Sequence, residues 1–507
     1  MKNRMLQMKF AWLVIIFALA PMFVQAQEKL TIERALDIAE ENNPDLKTQR
    51  LNFERAKFLL EAQKLSLRSR FSLDLNPVSY EKTRRFDNRV SEWYTNETFS
   101  TQGTFSVVQP ILPTDGEITL INTFGWQDNN SLNTQGLSAS NQAFSNNLSL
   151  RLNQPIFTYN RRKMALKEIE LDYENARINY ALQRLRTEQN ITQQFYAVYM
   201  AKNELEVSRD ELKNAKENFD MMKDKVEADM SAKEELFQAE LNYITAQSSL
   251  EGSIVTLENR KDQLKQILGM ALNENIDVEA EIIVSPVAVD LEQAITYGLN
   301  SRMELRQREI SMEEAELSMI TVKSDNEFSG NIGLSLGLTG DNKNFDNIYE
   351  NPTTSPRVML SFSVPIFDWG ANKKKVNAQK AAQTIAKLNY ENEKIDIELD
   401  VRQTWRTLEN VRLQIEIAEK KVNSAQLTYD INQIRYRNGD LTGMQMSQFQ
   451  TQLSNNKISY WQQQINYKIQ LLNLKILSLY DFEKDEPLVP LSRIYDEEIK
   501  ENNKSVK

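Results

Sequence analysis

Leu148-Ser149-Leu150-Arg151-Leu152-Asn153-Gln154-Pro155-Ile156-Phe157 carries the reading of the fold. Its first six residues alternate apolar and polar, the period of a strand whose two faces meet different surroundings. The chain then reaches Pro155, which suits neither a central strand nor a helix interior, and no further proline occurs before residue 286. The same junction returns as Val364-Pro365-Ile366-Phe367, followed by a second proline-free block to residue 486. Two strand-to-helix turns, at Pro155 and Pro365, therefore mark two similar halves.

Other segments share the alternation. Ile332, Leu334, Leu336 and Leu338 interleave with Gly333, Ser335, Gly337 and Thr339; Val358, Leu360, Phe362 and Val364 with Met359, Ser361 and Ser363; and Phe71, Leu73 and Leu75 with Ser72, Asp74 and Asn76. Each has the length of a transmembrane barrel strand, although a half-buried soluble sheet alternates in the same way. Four such strands cannot close a barrel, so a membrane reading requires several copies of the chain to share one. The duplication extends to the beginning of each half. Ile32-Glu33, Ala35-Leu36 and Asp45-Leu46 are answered at a constant offset by Leu291-Glu292, Ala294-Ile295 and Glu304-Leu305. Residues 158–227 and 367–437 could each form one helix of roughly 105 Å, and helices near 30–68, 231–268, 290–325 and 441–479 would be about half as long. Heptad rows at Leu250, Ile254, Leu257, Leu264 and Leu268, and at Ile458, Ile465, Ile469, Leu472, Ile476 and Leu479, read as coiled-coil seams. The fold class is mainly helical with strands: long antiparallel coiled-coil hairpins and two strand regions, internally duplicated.

Composition narrows the function. The 507 residues include no cysteine and no histidine, which removes thiol nucleophiles, disulfides and imidazole ligands or bases. No catalytic residues, metal site or cofactor is expected, and the acids scatter over helix faces as solvated charge. A net charge of −10 argues against nucleic acid as a partner. Lys2, Arg4 and Lys9, the apolar stretch Phe10 to Phe23 and Val24-Gln25-Ala26 read as a secretory signal cleaved after Ala26.

With the opening Leu30-Thr31-Ile32-Glu33-Arg34-Ala35-Leu36, Asn43-Pro44-Asp45-Leu46, the turns at Pro155 and Pro365, and Arg435-Tyr436 followed by Asn438-Gly439 and Leu441-Thr442, the chain resembles the TolC-type outer-membrane efflux proteins. The resemblance implies a bacterial outer-membrane protein with a large periplasmic portion. It further implies a homotrimer in which each protomer gives four strands to one barrel of about 12 and helical hairpins to a periplasmic tunnel. Substrates would pass passively, driven by an inner-membrane pump of the RND or ABC type through a periplasmic adaptor protein that touches the helical tips. Lipid of the outer membrane would surround the barrel. The competing reading is an exported coiled-coil tether or adhesin without transport activity, which explains the heptads but not the strand regions.

The tips fall near Ala228-Asp229-Met230-Ser231 and Asn438-Gly439-Asp440-Leu441-Thr442. Gly439 suits a left-handed turn, and Ser231 and Thr442 are placed to cap the returning helices. In the family an aspartate-to-tyrosine hydrogen bond closes the entrance; by the resemblance Tyr436 matches the tyrosine and Glu235 the aspartate. Positions where some relatives carry a ring of aspartates are Gln445 and Gln448 here, neutral candidates for the pore constriction. The first strand region is about twice the second. It contains two further alternating stretches, Thr104 to Pro110 and Glu117 to Trp126, joined by Leu112-Pro113-Thr114-Asp115-Gly116. An extracellular hairpin and added barrel strands both remain open, with four membrane strands the favoured reading. The expected organisation is a signal peptide (1–26), a first repeat (27–285: strands 70–157, hairpin 158–269), a second repeat (286–484: strands 328–366, hairpin 367–480) and a flexible tail (485–507).

Overall fold

The computed structural model describes residues 29–88, 91–133, 138–280, 282, 284–285 and 287–488. The expected signal peptide and nearly all of the expected tail lie outside the described residues. A two-residue strand, β1 (Lys29–Leu30), leads into α1 (Ile32–Asn42) and α2 (Pro44–Ser66). The sequence reads these two as one helix, but Pro44 disfavours helical backbone at Asn43, whose ψ is 125°. Asn43 uses the break: its Oδ1 accepts from the Leu46 amide at 2.8 Å and its Nδ2 donates to the Ile267 carbonyl at 2.6 Å.

Four strands follow, β2 (Arg70–Asp87), β3 (Glu92–Ile111), β4 (Gly116–Asn133) and β5 (Ser138–Ile156), then α3 (Arg161–Glu227) and α4 (Lys233–Leu268). The second half runs through β6 (Asp277–Val278), α5 (Leu291–Ser301), α6 (Met303–Ser324), β7 (Ser329–Asn342), β8 (Thr353–Ser363), α7 (Ala371–Arg437) and α8 (Gly443–Ser478). Short β9 (Tyr480–Asp481) and β10 (Glu486–Pro487) close it. Three of the four helix pairs repeat to the residue. α1 and α5 have 11 residues each and begin 259 apart; α3 and α7 have 67 each, and α4 and α8 have 36 each, both pairs 210 apart. The first half is thus longer by 49 residues, the difference 259 − 210, and all of them fall between the starts of β2 and α3. At about 1.5 Å per residue, α3 and α7 are each about 100 Å long.

The chain divides into two compact units. One comprises residues up to Gln49, Ala181–Arg302 and the chain from Ile397; the other, Arg50–Tyr180 and Met303–Asp396. In the first unit each repeat builds its own core. Ala35, Ile191, Phe195 and Leu264 form one, and Ala294, Val401, Leu408, Tyr467 and Leu474 the other. Each large side chain so buried contributes about 1.5–3 kcal/mol. The heptad row expected on α8 holds at Ile465, which is buried, and is displaced beyond it: Leu471, Leu474 and Ser478 are buried, whereas Ile469, Leu472 and Ile476 are half-buried. Tyr467 sets this rotation. Its ring is fully buried and its hydroxyl accepts from the Val287 amide at 3.0 Å, which fixes the face that α8 turns inward. Gly269 ends α4 with φ 71°, and a Cβ there would collide with the carbonyl of Asn42.

The second unit holds one antiparallel sheet of six strands in the order β2-β3-β4-β5-β7-β8. The sheet thus has two strands more than the four that the resemblance implies for the barrel. β3 and β4 extend the two additional alternating stretches and pair along their whole length inside the sheet, from Ile111↔Gly116 to Tyr94↔Asn133. Directly opposed residues share a face. One row across all six strands, Phe71-Val107-Leu120-Leu150-Leu336-Pro356, is wholly apolar. A row on the opposite face, Asp74-Thr104-Thr123-Asn147-Thr339-Thr353, is wholly polar. Four helical segments of this unit lie side by side. Phe53 of α2 stacks on Tyr173 of α3 at 5.4 Å, Arg306 of α6 holds Glu174 of α3 through two hydrogen bonds at 2.8 and 2.9 Å, and Arg308 of α6 reaches Glu393 of α7 at 3.0 Å. No helix among the described residues is long and apolar enough to cross a membrane.

Candidate functional site: the helical tips and the strand-to-helix junction

Both long helices end in the same motif. The Asp229 amide bonds the Val226 carbonyl and the Met230 amide the Lys225 carbonyl; 210 residues later, the Gly439 amide bonds Tyr436 and the Asp440 amide bonds Arg435. These are Schellman turns, which demand a left-handed residue at the centre. Gly439 supplies it at φ 87°, and Asp229 adopts it at φ 56° despite its side chain. Thr442 then caps α8 in a full capping box. Its hydroxyl accepts from the Gln445 amide at 3.4 Å, while Gln445 Oε1 accepts from the Thr442 amide at 3.1 Å. Gln445, a candidate for the constriction, is therefore engaged at the helix start, whereas Gln448 is exposed. At the other tip Ala232, not Ser231, occupies the cap position, without a side-chain bond. Ser231 donates to Glu235 instead.

Tyr436 gathers all four helices of the two hairpins. It is buried with Met222 of α3, Ala239 of α4 and Met446 of α8, and Leu441 packs against the cluster. Its phenol donates to Asn218 of α3. Where the sequence reading pairs Tyr436 with Glu235, the phenol bonds Asn218, which the sequence reading missed because nothing in its surroundings sets one helix asparagine apart. Burial, with the charge of Glu235 added, pushes the phenol up to about 12. A cavity of about 310 Å³ adjoins the pair, lined by Asn218, Met222, Glu235, Gln238, Tyr436 and Gly443. Arg435 donates back to Asn432 at 3.4 Å, and Met230 is exposed. Among the described residues no cluster of acidic side chains is placed to hold a metal ion.

Pro155 lies within β5 opposite Asn331, and Pro365 follows β8. Beside the first turn lies a second missed feature. Asp115, in the β3–β4 turn, is buried against the start of α3, where its carboxylate accepts from Arg161 Nε at 3.0 Å and from the Arg162 amide at 3.1 Å. Glu117 pairs with Arg162 at 2.8 Å, and Asn160 donates to the Leu112 carbonyl at 2.6 Å. A carboxylate at a helix N-terminus meets unpaired amides and the positive end of the helix dipole.

Residues 121–270 and 295–478 match the outer membrane efflux protein family, well over half of the chain. The chain belongs to this family. Its place is the bacterial outer membrane, with a helical part in the periplasm, and the family is one of transport channels. Similar solved structures include the CmeC outer membrane channel of Campylobacter jejuni, at 16% identity and TM-score 0.67, covering 92% of this chain and 89% of that one. The open-state MtrE outer membrane channel of Neisseria gonorrhoeae has 14% identity and TM-score 0.65, covering 90% of both chains. CusC has 13% identity and TM-score 0.65, covering 89% of this chain and 92% of that one. At such identities these likenesses speak to the fold alone. No curated protein matches the chain by sequence.

Proposed function

We propose that the chain is the outer-membrane exit duct of a tripartite export system. It works as a homotrimer, and substrates cross it passively. An inner-membrane pump of the RND or ABC type supplies the energy through a periplasmic adaptor that grips the tips at Asp229–Ser231 and Gly439–Thr442. The observation that carries this reading is the sheet, in which one row is apolar across all six strands and a row on the opposite face is polar across all six. That pattern suits a wall between lipid and a water-filled lumen. A tether or adhesin would leave the apolar row uncovered.

The reading is tested by extraction and reconstitution. Outer membranes should release the protein in detergent and not in high salt, and the purified trimer should conduct ions across planar bilayers. Release by salt, or a monomer without conductance, would overturn it.

A further inference from the structure

The sheet ends in β2 and β8, each paired on one side only among the described residues. Unpaired edges are managed in water but not in hydrocarbon, where nothing else satisfies their N–H and C=O groups. All neighbours are antiparallel and the strands are even in number, so the two edges run in opposite directions. The β8 edge of one copy therefore meets the β2 edge of the next as an antiparallel pair. The partner that fits these edges is a second copy of this chain.

We propose that three copies close an eighteen-stranded barrel, half as wide again as the family resemblance implies, with β3 and β4 in its lipid-facing wall. The number three rests on the channel reading above; six strands per copy is a property of the sheet. Three observations support the wide wall. The apolar row passes through Val107 and Leu120 without interruption, so at that level the additional hairpin presents the same apolar surface as its neighbours. Its turn is fastened to the start of α3 by Asp115, at the junction end of the sheet and not at the far end. The third is perimeter. Eighteen strands at about 4.8 Å spacing and about 40° tilt give about 110 Å, a radius of about 18 Å. Three sets of four helices, twelve at 8–10 Å, need about 100–120 Å. Twelve strands at the same tilt would give about 75 Å.

The chain has no cysteine, so single-cysteine variants label cleanly. Val107→Cys, Leu120→Cys and Leu150→Cys would each carry a small fluorophore, in phosphatidylcholine vesicles with or without lipid bearing a mid-chain doxyl quencher. All three should lose half or more of their fluorescence. Loss at 150 without loss at 107 and 120 would place the hairpin outside the bilayer and overturn the wide barrel, leaving the channel reading intact. No loss at any of the three would overturn both. Electron microscopy of the unmodified trimer gives an independent measure: a barrel radius of about 18 Å supports the proposal and one of about 12 Å defeats it.

Discussion

Tyr436 of α7 donates its phenolic hydrogen bond to Asn218 of α3, joining the last turn of α7 to a point nine residues before the end of α3. The bond is part-buried, with the Tyr436 ring packed among Met222, Ala239 and Met446.

Tyr436→Phe should loosen the tip. A buried neutral hydrogen bond contributes about 1 kcal/mol, which is about a five-fold rise in the open population. Single-channel recording should show the rise as more frequent opening. Tyr436→Phe with Asn218→Leu replaces both partners by apolar groups and should open less often than Tyr436→Phe alone. An unchanged opening frequency in Tyr436→Phe would remove the bond from the closing device.

The same phenol predicts a pH response at the alkaline end. Its folded value is pushed up to about 12, against 10.0 for a free tyrosine, by burial first and by the Glu235 charge second. A raised folded value means that the stabilisation is complete below pH 10 and is lost as pH rises towards 12, because the unfolded state releases its proton first. Subtracting the tyrosinate absorbance of Tyr436→Phe from that of the wild type isolates this titration. Glu235→Gln should bring it down, and a midpoint near the free value in the wild type would contradict the burial.

Asp229 and Gly439 occupy equivalent left-handed positions, one strained and one not. Asp229→Gly should therefore stabilise the first tip and Gly439→Ala destabilise the second, each by about 1 kcal/mol. Amide exchange of the two last helical turns reads both, and equal exchange in all three proteins would refute the assignment of strain.

Much of this architecture is legible in the residues. Pro155 and Pro365 locate both strand-to-helix junctions, and the period-two runs at Leu148 and Ile332 locate two neighbouring strands, because alternation and proline act locally. What was missed depends on distance in the chain. The strand assignment of residues 92–111 and 116–133 is set by pairing partners on both sides, and their polar outer halves, such as Asn129 and Asn130, show no alternation. The pairing of Tyr436 with Asn218 spans 218 residues, and its competitor Glu235 is diverted to Ser231, a local bond that the family pattern does not foretell. Beyond Ile465 the buried row of α8 departs from the apolar spacing for a similar reason. Apolar spacing counts Ile469 and Leu472 as core but passes over Tyr467, whose hydroxyl needs a partner that only the fold provides.

Asp115 provides the sharpest test of how the additional hairpin is held. Its side chain is 4% exposed, its backbone is left-handed at φ 60°, and its carboxylate serves both Arg161 and the Arg162 amide. Asp115→Ala removes the acceptor and leaves a strained turn, so it should destabilise the sheet unit by about 2–3 kcal/mol. Asp115→Asn keeps the tolerance for the left-handed turn and an oxygen for the Arg162 amide while losing the charge, and should cost about half as much. Thermal unfolding in detergent would rank the two variants, and a fluorophore at Leu120→Cys in each background would report whether the hairpin remains in the wall. If Asp115→Ala unfolds with the wild type and its Leu120 label is quenched as before, the turn does not fasten the hairpin, and pairing with β2 and β5 alone must hold it.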